Sequence, residues 1–148
     1  MSTDLRIVDI GHAPDLLRSH AEAVRGFLDT DPVTQNDQEI RRILSRDETV
    51  LLTGERGALL GCRPSRSSPR QAFVACVDAD PEEIGALLRF AYSGFRATSY
   101  VAEVEADSPV IETLLASGFT RIAHLREHSY RSGTFKDIVL LYAQRNAE

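Results

Sequence analysis

Hydrophobic residues along the chain recur in blocks of two periods, and the blocks alternate. LRIVDI (Leu5–Ile10) steps between apolar and polar positions and predicts a first strand, broken at Gly11 to Pro14. Asp15–Leu28 then sets Leu16, Leu17, His20, Val24, Phe27 and Leu28 at helical spacing. Asp31-Pro32 reads as a cap followed by proline at a first helical position. The next full helical period is Asp37–Leu44, with Ile40, Ile43 and Leu44 on one side. Glu48–Thr53 and Ala58–Cys62 flank Gly54-Glu55-Arg56-Gly57, which predicts a β-hairpin. Ala72–Val77 (AFVACV) is a continuous apolar run, as in a strand buried on both faces.

Asp80-Pro81-Glu82-Glu83 has the composition of a helix start, and Ile84, Leu87, Leu88 and Ala91 continue it to about Gly94. Tyr100–Ala106 alternates again, with Glu103 and Glu105 opposite Tyr100, Ala102, Val104 and Ala106. Ser108-Pro109 opens a short helix that Gly118 ends. Thr120–Tyr130 and Thr134–Ala143 are two more strands, joined at Arg131-Ser132-Gly133. The predicted order is β-α-α-β-β-β-α-β-α-β-β: one mixed α/β domain over residues 1–148, with a mostly antiparallel sheet flanked by helices.

Charge narrows the partners. With 17 Lys+Arg against 22 Asp+Glu the formal charge is −5. That balance argues against nucleic acid or an anionic membrane, which require a basic face. No apolar stretch approaches the roughly 18 residues of a membrane span, and MSTDLRIVD has no leader-like pattern, so the expected compartment is the cytoplasm. Two cysteines, Cys62 and Cys76, are too few for a disulfide scaffold. Lys136 is the only lysine. RPSRSSPRQ (Arg63–Gln71) reads as a surface loop, and QNDQEIRR (Gln35–Arg42) as the solvated side of a helix.

The segment VEADSPVIETLLASGFTRIAHLREHSYRSGTFKDIVLLYAQR, Val104 to Arg145, resembles the C-terminal half of the GNAT superfamily of acyl-CoA-dependent N-acetyltransferases. Its strand ends in an acidic turn, and a short helix closes on Gly118-Phe119. A strand with Leu125-Arg126-Glu127 follows, and Gly133-x-Phe135-x-Asp137 leads into a last apolar strand. The resemblance implies that acetyl-CoA would be held where the fourth strand enters a helix through a Q/R-x-x-G-x-G/A loop. The candidate cofactor-binding residues are then Val77, Asp78, Glu83, Gly85 and Ala86. In that alignment Asp80 takes the Q/R position, Glu83 the first glycine and Gly85 the second small position.

A helix start binds a diphosphate through unsatisfied N–H groups and dipole charge. Asp80-x-x-Glu83 instead has the form of a capping box, which would fill those donors with the protein's own carboxylates. The resemblance also implies an Asn and a Tyr proton donor in positions that here hold Asp107 and Leu114. His128 and Tyr130 are the remaining catalytic candidates. Alternation would put them with Arg126 on one face and Glu127 on the other. Cys76 is read as a buried, inert thiol and His12 and His20 as surface or boundary residues, while His124 has no second ligand spaced to it. No metal is expected. The expectation is a GNAT-fold protein with lost or weak acetyl transfer, acting as a binding or regulatory domain, without a resident cofactor. The alternative is an active N-acetyltransferase that uses acetyl-CoA on an amine acceptor. A homodimer fits either.

Overall fold

The computed structural model describes residues 5–20, 27–68, 70–77, 80–94, 97–131 and 133–144. Seven strands form one sheet in the order β1-β2-β3-β4-β5-β7-β6. They are β1 (Leu5–Ile7), β2 (Val50–Gly54), β3 (Leu59–Pro64), β4 (Gln71–Cys76), β5 (Ser99–Glu105), β6 (Thr120–Arg131) and β7 (Thr134–Gln144). The described helices are α1 (Ala13–His20), α2 (Asp37–Arg46), α3 (Pro81–Gly94) and α4 (Val110–Ala116). Every strand pair is antiparallel except β4–β5.

Strand alternation sorts the core into two layers. Leu52, Leu60, Val74, Tyr100, Ala102, Val139 and Leu141 meet α3 and α4 on one face. Leu51, Leu59 and Val77 meet α1 and α2 on the other. β4 is therefore covered on both faces, though Phe73 and Ala75 are only half-buried between the buried Ala72, Val74 and Cys76.

The elements depart from the sequence pattern where local hydrogen bonding outcompetes periodicity. β1 stops at Ile7, and Ile10–His12 forms a 3-10 turn. The helix expected through Leu28 does not reach that far. Phe27 is bridged to Thr30, and Leu28 and Asp29 take left-handed φ of 46° and 69°. Asp31 does not cap a helix; its carboxylate accepts from Val33 N–H at 3.0 Å in a turn. The cap of α2 is Asn36, which accepts from Glu39 N–H at 2.8 Å. Nor is Arg63–Gln71 one exposed loop: Arg63 and Pro64 finish β3, Ser65 is buried and Gln71 begins β4.

Gly61 allows the turn at 27–30 to close on the sheet. A Cβ there would lie 2.6 Å from Leu28 Cδ1 and 2.7 Å from Phe27 Cε1. Gly61→Ala therefore has to push both side chains off β3, and overpacking of this kind costs about 1–3 kcal/mol. Denaturant unfolding should show a lowered midpoint at unchanged slope.

Candidate functional site

β4 and β5 pair only from Gln71↔Ser99 to Phe73↔Val101. Beyond that point the parallel strands part, and a cleft of about 660 Å³ opens between them. Its walls include Val74–Cys76 from β4, Val101 and Glu103–Glu105 from β5, and Asp107–Val110 with Leu114 at the start of α4. Parallel strands whose pairing stops leave main-chain donors and acceptors facing one another across the gap.

In sequence β4 is followed by α3. Asp80 caps this helix, accepting from Glu82 N–H at 2.9 Å through Oδ1. Its other oxygen pairs with Arg56 Nη1 from the β2–β3 turn, and the same guanidinium stands 3.9 Å from Glu82 Oε2. Arg56 first, then the amides of Glu82 and Glu83, hold the Asp80 carboxyl below the usual carboxylate range.

Glu83 does not reach back to Asp80, so the reciprocal half of the capping box is absent. It is buried at 1% exposure and turns toward the hairpin instead. Its oxygens accept from Arg56 N–H at 2.9 and 3.1 Å and from Ala58 N–H at 2.9 Å. Gly54 makes the space: a Cβ there would fall 2.3 Å from Glu83 Cδ. The carboxylate at the first glycine position is thus a buried anchor for the hairpin, turned away from the helix start. Among the described residues, Asp80, Arg56 and the exposed Glu82 remain there.

The other candidates in this loop divide as follows. Val77 is buried and its N–H is spent on Leu59 O at 3.0 Å. Gly85 and Ala86 are half-buried in the first turns of α3. Asp78 lies outside the described residues.

On the far wall, Leu114 is fully buried and lines the cleft, so the place of the family's Tyr offers no proton. Asp107 lines it too and pairs with Lys136 at 3.3 Å. His128 reaches the cleft; Tyr130 does not, being 65% exposed with its ring 4.9 Å from that of Phe135. Cys76 is buried at the cleft wall. Behind it, burial pushes the Cys62 thiol up to about 12, which keeps it a thiol at neutral pH.

A cluster that the sequence reading missed props the mouth. Arg63 stacks over Phe73 at 5.3 Å, donates to Asp29 at 2.7 Å and to the buried Asp47 at 3.0 Å. Arg46 and Arg66 complete the shell around Asp47. Arg46 and Arg66 hold the Asp47 carboxyl down to about 2, against the burial that opposes them. Among the described residues, no three His, Cys, Asp or Glu side chains converge as metal ligands. No helix among them is long and apolar enough to cross a membrane.

No family model matches the chain, and no curated protein matches it. Solved structures do, and they carry one fold. The ribosomal-protein-alanine N-acetyltransferase of Brucella melitensis superposes with a TM-score of 0.72 at 16% identity, over 95% of this chain and 99% of that one. The acetyltransferase-like protein yncA of Salmonella typhimurium, with its cofactor acetyl-CoA, gives 0.73 at 13% identity over 100% and 96%. A spermidine N-acetyltransferase chimera from Vibrio cholerae gives 0.68 at 14% identity over 97% and 96%. The chain has the GNAT N-acetyltransferase fold.

Two outcomes follow from the anchors. Glu83→Gln replaces an acceptor-only group by one that turns a donor on a hairpin amide, and a buried unsatisfied group costs about 1–3 kcal/mol. Hydrogen exchange at the amides of Arg56 and Ala58 should accelerate, and Glu83→Gly should cost more stability. For Asp47 the depressed carboxyl means that the folded chain holds this proton less tightly than the unfolded chain. Its stabilisation is present above about pH 4 and lost as pH falls toward about 2. Asp47→Asn should remove on the order of 1 kcal/mol at neutral pH, after screening at the solvated arginines, and flatten that stretch of the stability profile.

Proposed function

We propose that this GNAT-fold chain is a binding domain in which acetyl-CoA-dependent transfer is lost or weak, and that its ligand enters the β4–β5 cleft. The observation that carries this reading is the occupied start of α3. Asp80 already sits on the amide that an incoming diphosphate would use, and Arg56 is committed to Asp80. A diphosphate there would have to displace a tethered cap and stand beside a carboxylate. One such pair at 4 Å is worth about 1 kcal/mol in water and about 4 at an effective dielectric of 20. The buried Leu114 in place of a proton donor points the same way.

The cleft's own charge suggests the ligand class. Asp29, Glu103, Glu105 and Asp107 line it, with Arg63 paired to Asp29, Lys136 paired to Asp107, and His128 beside them. A cationic amine suits such walls better than an anion does.

One observation favours the second reading, an active N-acetyltransferase on an amine. The parted main chains of β4 and β5 offer donors and acceptors to an extended, amide-bearing arm, so coenzyme A could be held there without its diphosphate seated. Titration calorimetry with acetyl-CoA separates the two. The binding-domain reading expects dissociation constants above about 100 μM, which is about −5.5 kcal/mol. It also expects Asp80→Ser, which keeps a cap but removes the charge, to tighten binding about tenfold, a change of about 1.4 kcal/mol. Micromolar binding by the unaltered chain, with acetylation of an amine such as spermidine, would establish the transferase instead.

A further inference from the structure

The β6–β7 ladder is regular at its tip, where Tyr130 faces Phe135 and Ser129 faces Lys136, and regular again where Leu125 faces Ile138. Between them three residues of β6, Arg126 to His128, oppose the single Asp137 of β7. A bulge of that size withdraws backbone groups from the ladder. It also requires Glu127 to adopt φ 47°, a left-handed conformation that residues other than glycine enter at a cost. Something must hold it.

Asp137 is placed to do so. One oxygen accepts from Glu127 N–H at 2.8 Å, and the other lies 2.8 Å from His124 Nε2. An ionised carboxylate only accepts, so His124 donates from Nε2. The His124 hydrogen bond first, then the Glu127 amide, keeps the Asp137 carboxyl below the usual range and so ionised.

The bulge has a consequence for the cleft. In an unbroken strand His128 and Tyr130 would share a face. Here only one of them reaches the cleft: His128 lines it with Ile138, whereas Tyr130, nearer the strand tip, packs on Phe135. We propose that Asp137 is a positioning residue, clasping His124 and the Glu127 amide so that the bulge delivers His128 into the cleft. The functional weight of this clasp rests on the cleft being the working site. Its test needs no ligand, so either idea can fail while the other stands.

The test is solution NMR of the full chain, reading nuclear Overhauser contacts from the His128 ring to the methyl groups of Ile138, its neighbour across the bulge at the cleft wall. These contacts are expected in the unaltered chain and should vanish in Asp137→Ala with the rest of the spectrum dispersed. His124→Gln, whose amide can donate to the same oxygen, should keep them, and so should Glu127→Gly, which adopts the left-handed φ freely. If Asp137→Ala does not give a dispersed spectrum, His124→Ala takes its place: His124 is half-exposed, and the contacts should weaken there relative to His124→Gln. Contacts unchanged in the variant that folds, or lost equally in His124→Gln, would overturn the proposal.

Discussion

The architecture around the cleft depends on one buried carboxylate. Glu83 leaves the first turn of α3, enters the space over Gly54 and accepts the two inward amides of the β2–β3 turn. A carboxylate taken from water is costly unless donors replace its hydration, and here three short N–H contacts do so. The helix start cannot slide along the sheet without breaking them. Its position in turn decides what Arg56 can reach: the main chain of Arg56 is held by Glu83, and its side chain then falls on Asp80 and Glu82. The closed state of the helix start is thus a consequence of the anchor as much as of the cap. Asp80 and Glu83, three positions apart, do opposite work: Glu83 is held by backbone amides in the interior and Asp80 by a guanidinium at the surface.

The cleft mouth follows the same logic, with guanidiniums in place of backbone amides. Asp47 is buried, and three arginines from α2, β3 and the segment after β3 converge on it. Arg63 is the useful member, because it also holds Asp29 and lies against Phe73. It joins the turn at 27–30, the C-terminus of α2 and the β4 wall into one frame. An isolated exposed ion pair would add little, but a carboxylate shared among fixed guanidiniums restricts all of them together.

Most of the element order could be read from periodicity, since strands and helices here bury the faces their patterns offer. The misses have a common cause. Helical spacing included Phe27 and Leu28, but Gly61 invites both onto the sheet, and that tertiary contact outweighs propensity there; Val24 lies outside the described residues. Glu83 looked like half of a capping box because spacing along one chain cannot show that a glycine 29 positions earlier has made room for it. Arg56 was visible only as a turn residue. The pairing of His124 with Asp137 was hidden by the bulge: the tip register continued unbroken would set His124 opposite Leu141, whereas it faces Val139. His128 could be named from sequence, but whether it met the cleft turned on that irregularity.

The start of α3 and the cleft therefore differ in kind. At the start of α3, the Asp80 carboxylate takes the Glu82 amide and is itself held by Arg56. Along β4 and β5 the ladder is left open, and along Glu103, Glu105 and Asp107 the walls carry acid. The opening between the strands and the capped start of α3 are built by different parts of the chain. The Glu83 anchor fixes the hairpin, the hairpin brings Arg56 to Asp80, and the parted strands β4 and β5 carry the cleft separately.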